Sequence, residues 1–300
     1  MEKISNDLTH KQNNIKAIHE RLKPIAEANE IAQLVQSDYQ GIFIIKREGK
    51  MELYCYDEDT HKLSDSMSRI DLEKPLELLS PYMQGAFTTA FWSEKPPENI
   101  YIAGFGGGCL ALEWHHFFPK VQIDGSEIDQ TILDVAKKYF AAPFDERVDV
   151  KAIDGRLDFD SRNQCYDIII VDVFFGGGDH ANHLATQEFF SLCKSKLSKH
   201  GVLCANIIEL DPLHREKVKA IQSVFDHCYG WNVNGACVTF ASQQPLDKVA
   251  MLKHVQKFMK NEGLQFPAIE RVKAFKELTI DDEVTALADS SITQTIKLAG

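Results

Sequence analysis

The chain has 300 residues, 44% of them apolar and 26% charged. That is enough material for a large core and too apolar for a disordered chain. Its 33 basic and 44 acidic residues leave a net charge of −11, which excludes a general binder of nucleic acid or anionic membrane, because phosphate repels such a surface.

Residues 1–40 read as an N-terminal helical segment. The polar start MEKISNDLTHKQNN lacks the apolar core of a secretory signal, and Ile15, Ile18, Leu22 and Ile25 recur at helical steps. Residues 41–47 and 51–56 predict two strands around a turn at Gly49, within a small antiparallel β module over 41–75. Residues 76–92 predict a helix ended by Pro96-Pro97.

From residue 100 the rhythm changes. Apolar runs at 100–103, 121–126, 148–153, 168–171 and 202–208 alternate with helical patterns at 129–140, 186–197 and 213–226. Strands buried on both faces by helices look like this, so a doubly wound, mostly parallel α/β sheet is expected over 76–245. Asn234-Gly235 predicts a closing hairpin and one antiparallel strand near the sheet edge. A helix at 247–262, stopped by Gly263, opens a C-terminal helical extension over 246–300.

Seven cysteines are scattered without a C-x-x-C pair. Together with the absent leader and the absence of an apolar run of ~18 residues, they predict a reduced, cytoplasmic protein that is not membrane-bound. No histidine or cysteine cluster has metal spacing, so no metal is expected. His115 and His116 adjoin on one predicted helix and are read as solvated or capping residues.

The chemistry begins at Gly104-Phe-Gly106-Gly107-Gly108-Cys109, a glycine turn between a strand and a helix. Glycine lets the backbone approach a ligand, and a helix start offers free N–H groups. Alone, the motif also fits a plain tight turn. Glu127 ends the next strand, about twenty residues on, where an acid bonds ribose hydroxyls. Asp154-Gly155 follows the third strand, and a carboxylate there can accept an adenine amino group. Asp172 ends the fourth. Each acid alone reads as a cap or a solvated residue; four elements in order at successive strand ends read as a nucleoside site. Cys109 stands where a dinucleotide fingerprint needs glycine, which disfavours a nicotinamide enzyme.

These residues resemble the class I S-adenosylmethionine-dependent transferases, and within them the spermidine synthase (polyamine aminopropyltransferase) family. Ile-Ala-Gly-Phe-Gly-Gly-Gly at 102–108, Ser-Glu-Ile-Asp at 126–129, Asp154-Gly155, Tyr-Asp-Ile-Ile-Ile-Val-Asp at 166–172 and Leu-Ala-Thr-Gln-Glu-Phe-Phe at 184–190 carry it. The resemblance implies a seven-stranded sheet behind a small β domain, and Gly104, Gly106, Gly108, Glu127, Asp154 and Gly155 as cofactor-binding residues. It implies Asp172 as the base that deprotonates an amine acceptor. It also implies a homodimer or tetramer.

The sequence departs from that family at telling places. The family's glycine loop carries an Asp that holds the ammonium of decarboxylated S-adenosylmethionine, and Gly107 stands there. A second family Asp after the fourth strand corresponds to Phe175. Tyr82-Met83-Gln84 is the counterpart of a Tyr-His-Glu segment. The acceptor pocket is accordingly expected among Tyr82, Gln84, Phe175, Asp179 and His180. An unpaired buried ammonium costs several kcal/mol, so these losses bear on the substrate. Three readings follow. The first is alkyl (aminopropyl-type) transfer to an amine from S-adenosylmethionine or a decarboxylated or thio-nucleoside relative, releasing methylthioadenosine. The second is methyl transfer from S-adenosylmethionine to an unspecified acceptor, releasing S-adenosylhomocysteine. The third is a non-catalytic nucleoside-binding protein on the same fold.

Overall fold

The computed structural model describes residues 2–57, 61–174, 181–233, 235–280 and 282–292. Helix α1 (Glu2–Glu27) places Ile18, Leu22 and Ile25 in the core. It is shorter than the helical segment expected to residue 40. Residues Ala32–Gln36 form β1, which pairs antiparallel with β2 (Gly41–Arg47). This strand lies at a sheet edge with most of its residues exposed, so it carries no apolar alternation to betray it. β2 and β3 (Lys50–Asp57) form the expected hairpin. Its turn residues Glu48 and Gly49 have φ of 51° and 73°, as a two-residue turn of the primed type requires. β4 (Lys62–Leu63) and β5 (Ser68–Asp71) complete a five-stranded antiparallel sheet.

The helix expected over 76–92 is α2 (Pro81–Phe87), followed by a 3-10 turn at Thr88–Phe91. Proline suits the first helical turn, where no N–H is needed, and so fixes the later start.

The main sheet contains β6 (Asn99–Ala103), β7 (Gln122–Glu127), β8 (Val148–Ala152), β9 (Tyr166–Val171), β10 (Leu197–Ile208), β11 (His227–Val233), β12 (Ala236–Ser242) and β13 (Lys276–Glu277). Its order is β13-β11-β12-β10-β9-β6-β7-β8. The five strands from β10 to β8 run parallel, and β12 is antiparallel to both its neighbours. The seven expected strands are present. The eighth, β13, adds two residues to the outer edge of β11, too few to leave a pattern in sequence. The C-terminal region is therefore helical only in part.

The crossovers α3 (Cys109–Phe117), α4 (Gln130–Tyr139), α5 (Gly155–Ser161), α6 (Gln187–Lys196) and α7 (His214–Val224) cover the sheet, joined by α8 (Lys248–Glu262) and α9 (Ala268–Ala274). Ile100 and Ile102 enter one core, and Tyr101 and Ala103 enter the other. That explains why β6 is apolar throughout.

His115 and His116 are not solvated. Both are buried near the end of α3, where the Asn14 amide of α1 bonds both rings and Asp145 bonds His115 at 2.7 Å. Helix α1 covers the helix face that would otherwise meet water.

Candidate nucleoside-binding and transfer site

A cleft of about 980 Å³ opens at the carboxyl ends of β6 to β9. In an open parallel sheet this is where strand order reverses and where ligands settle. The reversal falls between β6 and β9. Gly104 sits there at φ 83°, and a Cβ on it would lie 2.1 Å from the Asp172 carbonyl oxygen. Only glycine lets the two strand ends come this close.

The glycine turn is held from two sides. The Gly106 N–H donates to Glu127 Oε2 at 3.0 Å, and the Gly107 N–H donates to Ser68 Oγ at 2.8 Å. Ser68 comes from β5, so the small sheet forms the far wall. Gly108 does not face the cleft. It starts α3 with left-handed backbone, packed against Phe105 and Ala142.

Glu127 is buried at the end of β7 and lines the cleft. Burial pushes its carboxyl up to about 7, against the Gly106 and Asp129 N–H groups that favour its ionised form. Asp154 caps α5. Its Oδ1 accepts the N–H groups of Arg156 and Leu157 at 3.0 and 3.1 Å, and its Oδ2 accepts from His183 Nε2 at 2.7 Å. Burial raises the carboxyl, but the His183 bond outweighs it with the helix N–H groups and holds it below the usual range. Gly155 follows in the cleft wall.

Asp172 emerges from β9, with its N–H bonded to the Ala103 carbonyl at 2.9 Å. Asn206 Nδ2 of β10 donates to its Oδ1 at 2.9 Å, and the Tyr82 hydroxyl of α2 donates to the same carboxylate. Desolvation raises Asp172 to about 6 even though both donors favour its anion. It is thus a carboxylate at neutral pH, oriented by two donors and poised near the pH at which general bases work.

Tyr82 lines the cleft as expected. Gln84 does not: it is buried behind α2, giving its amide N–H to the Leu78 carbonyl at 2.6 Å and accepting from Arg271 at 2.8 Å. Two helical residues apart, Tyr82 and Gln84 cannot share a face. Phe175, Asp179 and His180 lie outside the described residues. Sequence reasoning missed Ser68, His183, Asn206 and the buried pair Asp211–Lys217 beside the cleft. Asn206 stands near the carboxyl end of a parallel strand, a signal that could have found it. Ser68 left none.

No group of His, Cys, Asp and Glu among the described residues could hold a metal ion. No described helix is long and apolar enough to cross a membrane.

Comparison with known proteins fits this geometry. Over 203 residues the chain is 28% identical to the polyamine aminopropyltransferase of Vibrio vulnificus, covering 66% of each protein. It is 31% identical over 169 residues to the human eEF1A lysine and N-terminal methyltransferase, covering 51% of this chain but 24% of that one. The first of these spans just under two thirds of its relative, and the second about a quarter. A probable spermidine synthase from Corynebacterium glutamicum has the same fold, with a TM-score of 0.68 at 18% identity over 89% of this chain and 99% of that one. Human methyltransferase-like protein 13 in complex with SAH gives a TM-score of 0.53 at 25% identity, over 68% of this chain and 96% of that one. Residues 88–261 match the model of the spermine/spermidine synthase domain. On that match, with transferases of both kinds as its relatives, the chain belongs to the spermine/spermidine synthase domain family on the class I methyltransferase fold.

Proposed function

We propose that the protein is a transferase that takes S-adenosylmethionine itself as donor and methylates an amine. The observation that carries this is at Gly107. A Cβ there would stand 2.7 Å from Ser68 Cβ and 3.1 Å from the Phe140 ring. The aminopropyl-donor reading asks for an Asp at that position, and this packing has no room for one. A donor that has lost its carboxylate would present an ammonium for which the loop itself supplies no acid, and such a group is costly to desolvate.

The residues present fit an adenosyl donor. The glycine turn keeps space that side chains would fill, and Glu127 stands ready for ribose hydroxyls. S-adenosylmethionine, when bound, supplies a methyl group activated by its sulfonium. Asp172 then takes the proton from the acceptor nitrogen, since only a neutral amine has the lone pair to attack. Asn206 and Tyr82 hold that carboxylate in one orientation, and alignment supplies most of the remaining acceleration. The eEF1A methyltransferase relative supports the reading; the aminopropyltransferase relatives and the Asp172–Tyr82 contact support aminopropyl transfer as the second reading.

Calorimetry with S-adenosylmethionine and its decarboxylated form separates the two, together with mass spectrometry of amines incubated with each. The expected result is preferential binding of S-adenosylmethionine and an acceptor heavier by one CH₂. Equal or tighter binding of the decarboxylated donor, with spermidine formed from putrescine, refutes it.

A further inference from the structure

The family domain matches residues 88–261, and part of the chain beyond that span returns to the cleft. β13 lies on the outer edge of β11, with Leu278 next to it packed over Gly230. Further on, Leu287 is buried in the core that α6 and α7 cover. Its N–H donates to the Glu216 carbonyl at 3.1 Å, and its carbonyl accepts from the Gln187 N–H at 2.8 Å. A buried apolar anchor and backbone bonds to two helices thus seat this strap and fix where Asp289 falls.

The Asp289 carboxylate takes both terminal nitrogens of Arg156, at 2.7 and 2.6 Å, and the Thr186 hydroxyl at 2.7 Å. Its own N–H donates to Glu188 Oε2 at 2.9 Å. A partly exposed ion pair contributes little when it stands alone, but this one is bidentate and shared among several groups, the arrangement that holds its geometry. Arg156 carries the clamp onward. The nitrogen that meets Asp289 Oδ1 also donates to the His183 carbonyl at 2.9 Å, and the Arg156 N–H belongs to the first turn of α5 on Asp154. Asp154 and Gly155 form one wall of the cleft, and Ala181, His183 and Leu184 form the wall beside it. Arg156 therefore ties the two walls together through its side chain, and Asp289 holds that side chain in place.

We infer that Asp289, at the end of a C-terminal strap, is a positioning residue for donor binding, acting through Arg156 to keep the turn Asn182–Leu184 against the start of α5. The inference rests on the proposed adenosyl donor and deepens it by giving the chain beyond the matched domain a part in that site. Without the clamp the turn samples arrangements that do not bind, and apparent affinity falls by the fraction of time it spends in them.

A double-mutant cycle on the full chain tests this, with S-adenosylhomocysteine as the probe and calorimetry well below the melting temperature. Asp289→Ala and Arg156→Ala are each expected to weaken binding about tenfold. The double variant is expected to bind like either single one, because the two residues act as one device. Wild-type affinity in Asp289→Ala overturns the inference: the strap would then only steady α6 through Thr186 and Glu188. Losses that multiply in the double variant overturn the route through Arg156. If the wild type does not bind the probe, the donor reading itself falls and takes the inference with it. Should the variants fail to fold, hydrogen exchange of the wild type decides. Coupling is reciprocal, so a ligand that needs the strap must also hold it. Addition of S-adenosylhomocysteine is expected to slow exchange at the Leu287 and Asp289 amides together with those of Leu184 and Ala185. Slowing at the turn with none at the strap is the refuting result.

Discussion

Asp172→Asn separates the stability of the cleft from its chemistry. Desolvation raises the Asp172 carboxyl from its ordinary 3.8 to about 6. Because the folded value lies above the unfolded one, its contribution to stability is fully present below about pH 4 and is lost as pH rises through about 6. Above that, holding the anion in the cleft costs up to ~3 kcal/mol, an upper bound because the open cleft admits water. Asparagine is neutral at every pH. Its carbonyl can keep the Asn206 bond, and the Tyr82 hydroxyl can turn to accept from its amide. The variant should therefore melt higher than wild type at pH 8, by at most roughly 5–10 °C for a domain of this size. At pH 4 the gain should vanish. Scanning calorimetry at both pH values reads this directly. The same variant should bind the nucleoside product normally and transfer nothing, because an amide cannot take the amine's proton. No gain at pH 8, or an equal gain at pH 4, would sink the desolvation argument. Full turnover would remove Asp172 as the base.

Gly107→Asp should destabilise the chain by about 1–3 kcal/mol through its clash with Ser68 and Phe140, and adding Ser68→Gly should restore part of that; a single variant that melts like wild type contradicts the steric reading. Arg162→Ala should cost about 3–5 kcal/mol in denaturant unfolding, because Asp158 and Asp124 are buried and Arg162 bonds them at 3.0 and 2.8 Å. A loss below about 1 kcal/mol would mean water reaches those carboxylates. Glu127 ionises near 7, and the anion is the better acceptor for ribose hydroxyls. Nucleoside affinity should thus rise between pH 6 and 8 and lose that slope in Glu127→Gln, as calorimetry across the range would show; a flat wild-type profile speaks against the ribose role.

The parallel sheet was legible because its strands are buried on both faces, as β6 is by two cores, and because Asn234-Gly235 marks the hairpin. β1 and β13 were not, since edge strands bury too little to leave a period. The acids at strand ends were legible for the same local reason: a strand that stops at an acid beside a glycine turn says where the cleft is. What the acids bond to was not. Asp154 meets His183 across 29 positions, Gly107 meets Ser68 across 39, and Gln84 turns to Arg271 across 187. Such partners are decided by packing between elements, which no periodicity encodes.

Charge shows the difference most sharply. A net charge of −11 suggests an affinity for polycations, yet the acids lining the cleft are largely committed. Asp154 is paired with His183 and Asp211 with buried Lys217, while Glu127 accepts backbone N–H groups at the glycine turn. Asp172 can meet one desolvated amine. Among the described residues, the other acid lining the cleft is Asp65, exposed where water screens any ion pair. A polyamine buried along this cleft would leave a second ammonium without a desolvated partner, at a cost of several kcal/mol. One cationic nitrogen at Asp172 carries no such cost, and the distribution of paired acids favours an acceptor that buries a single amine.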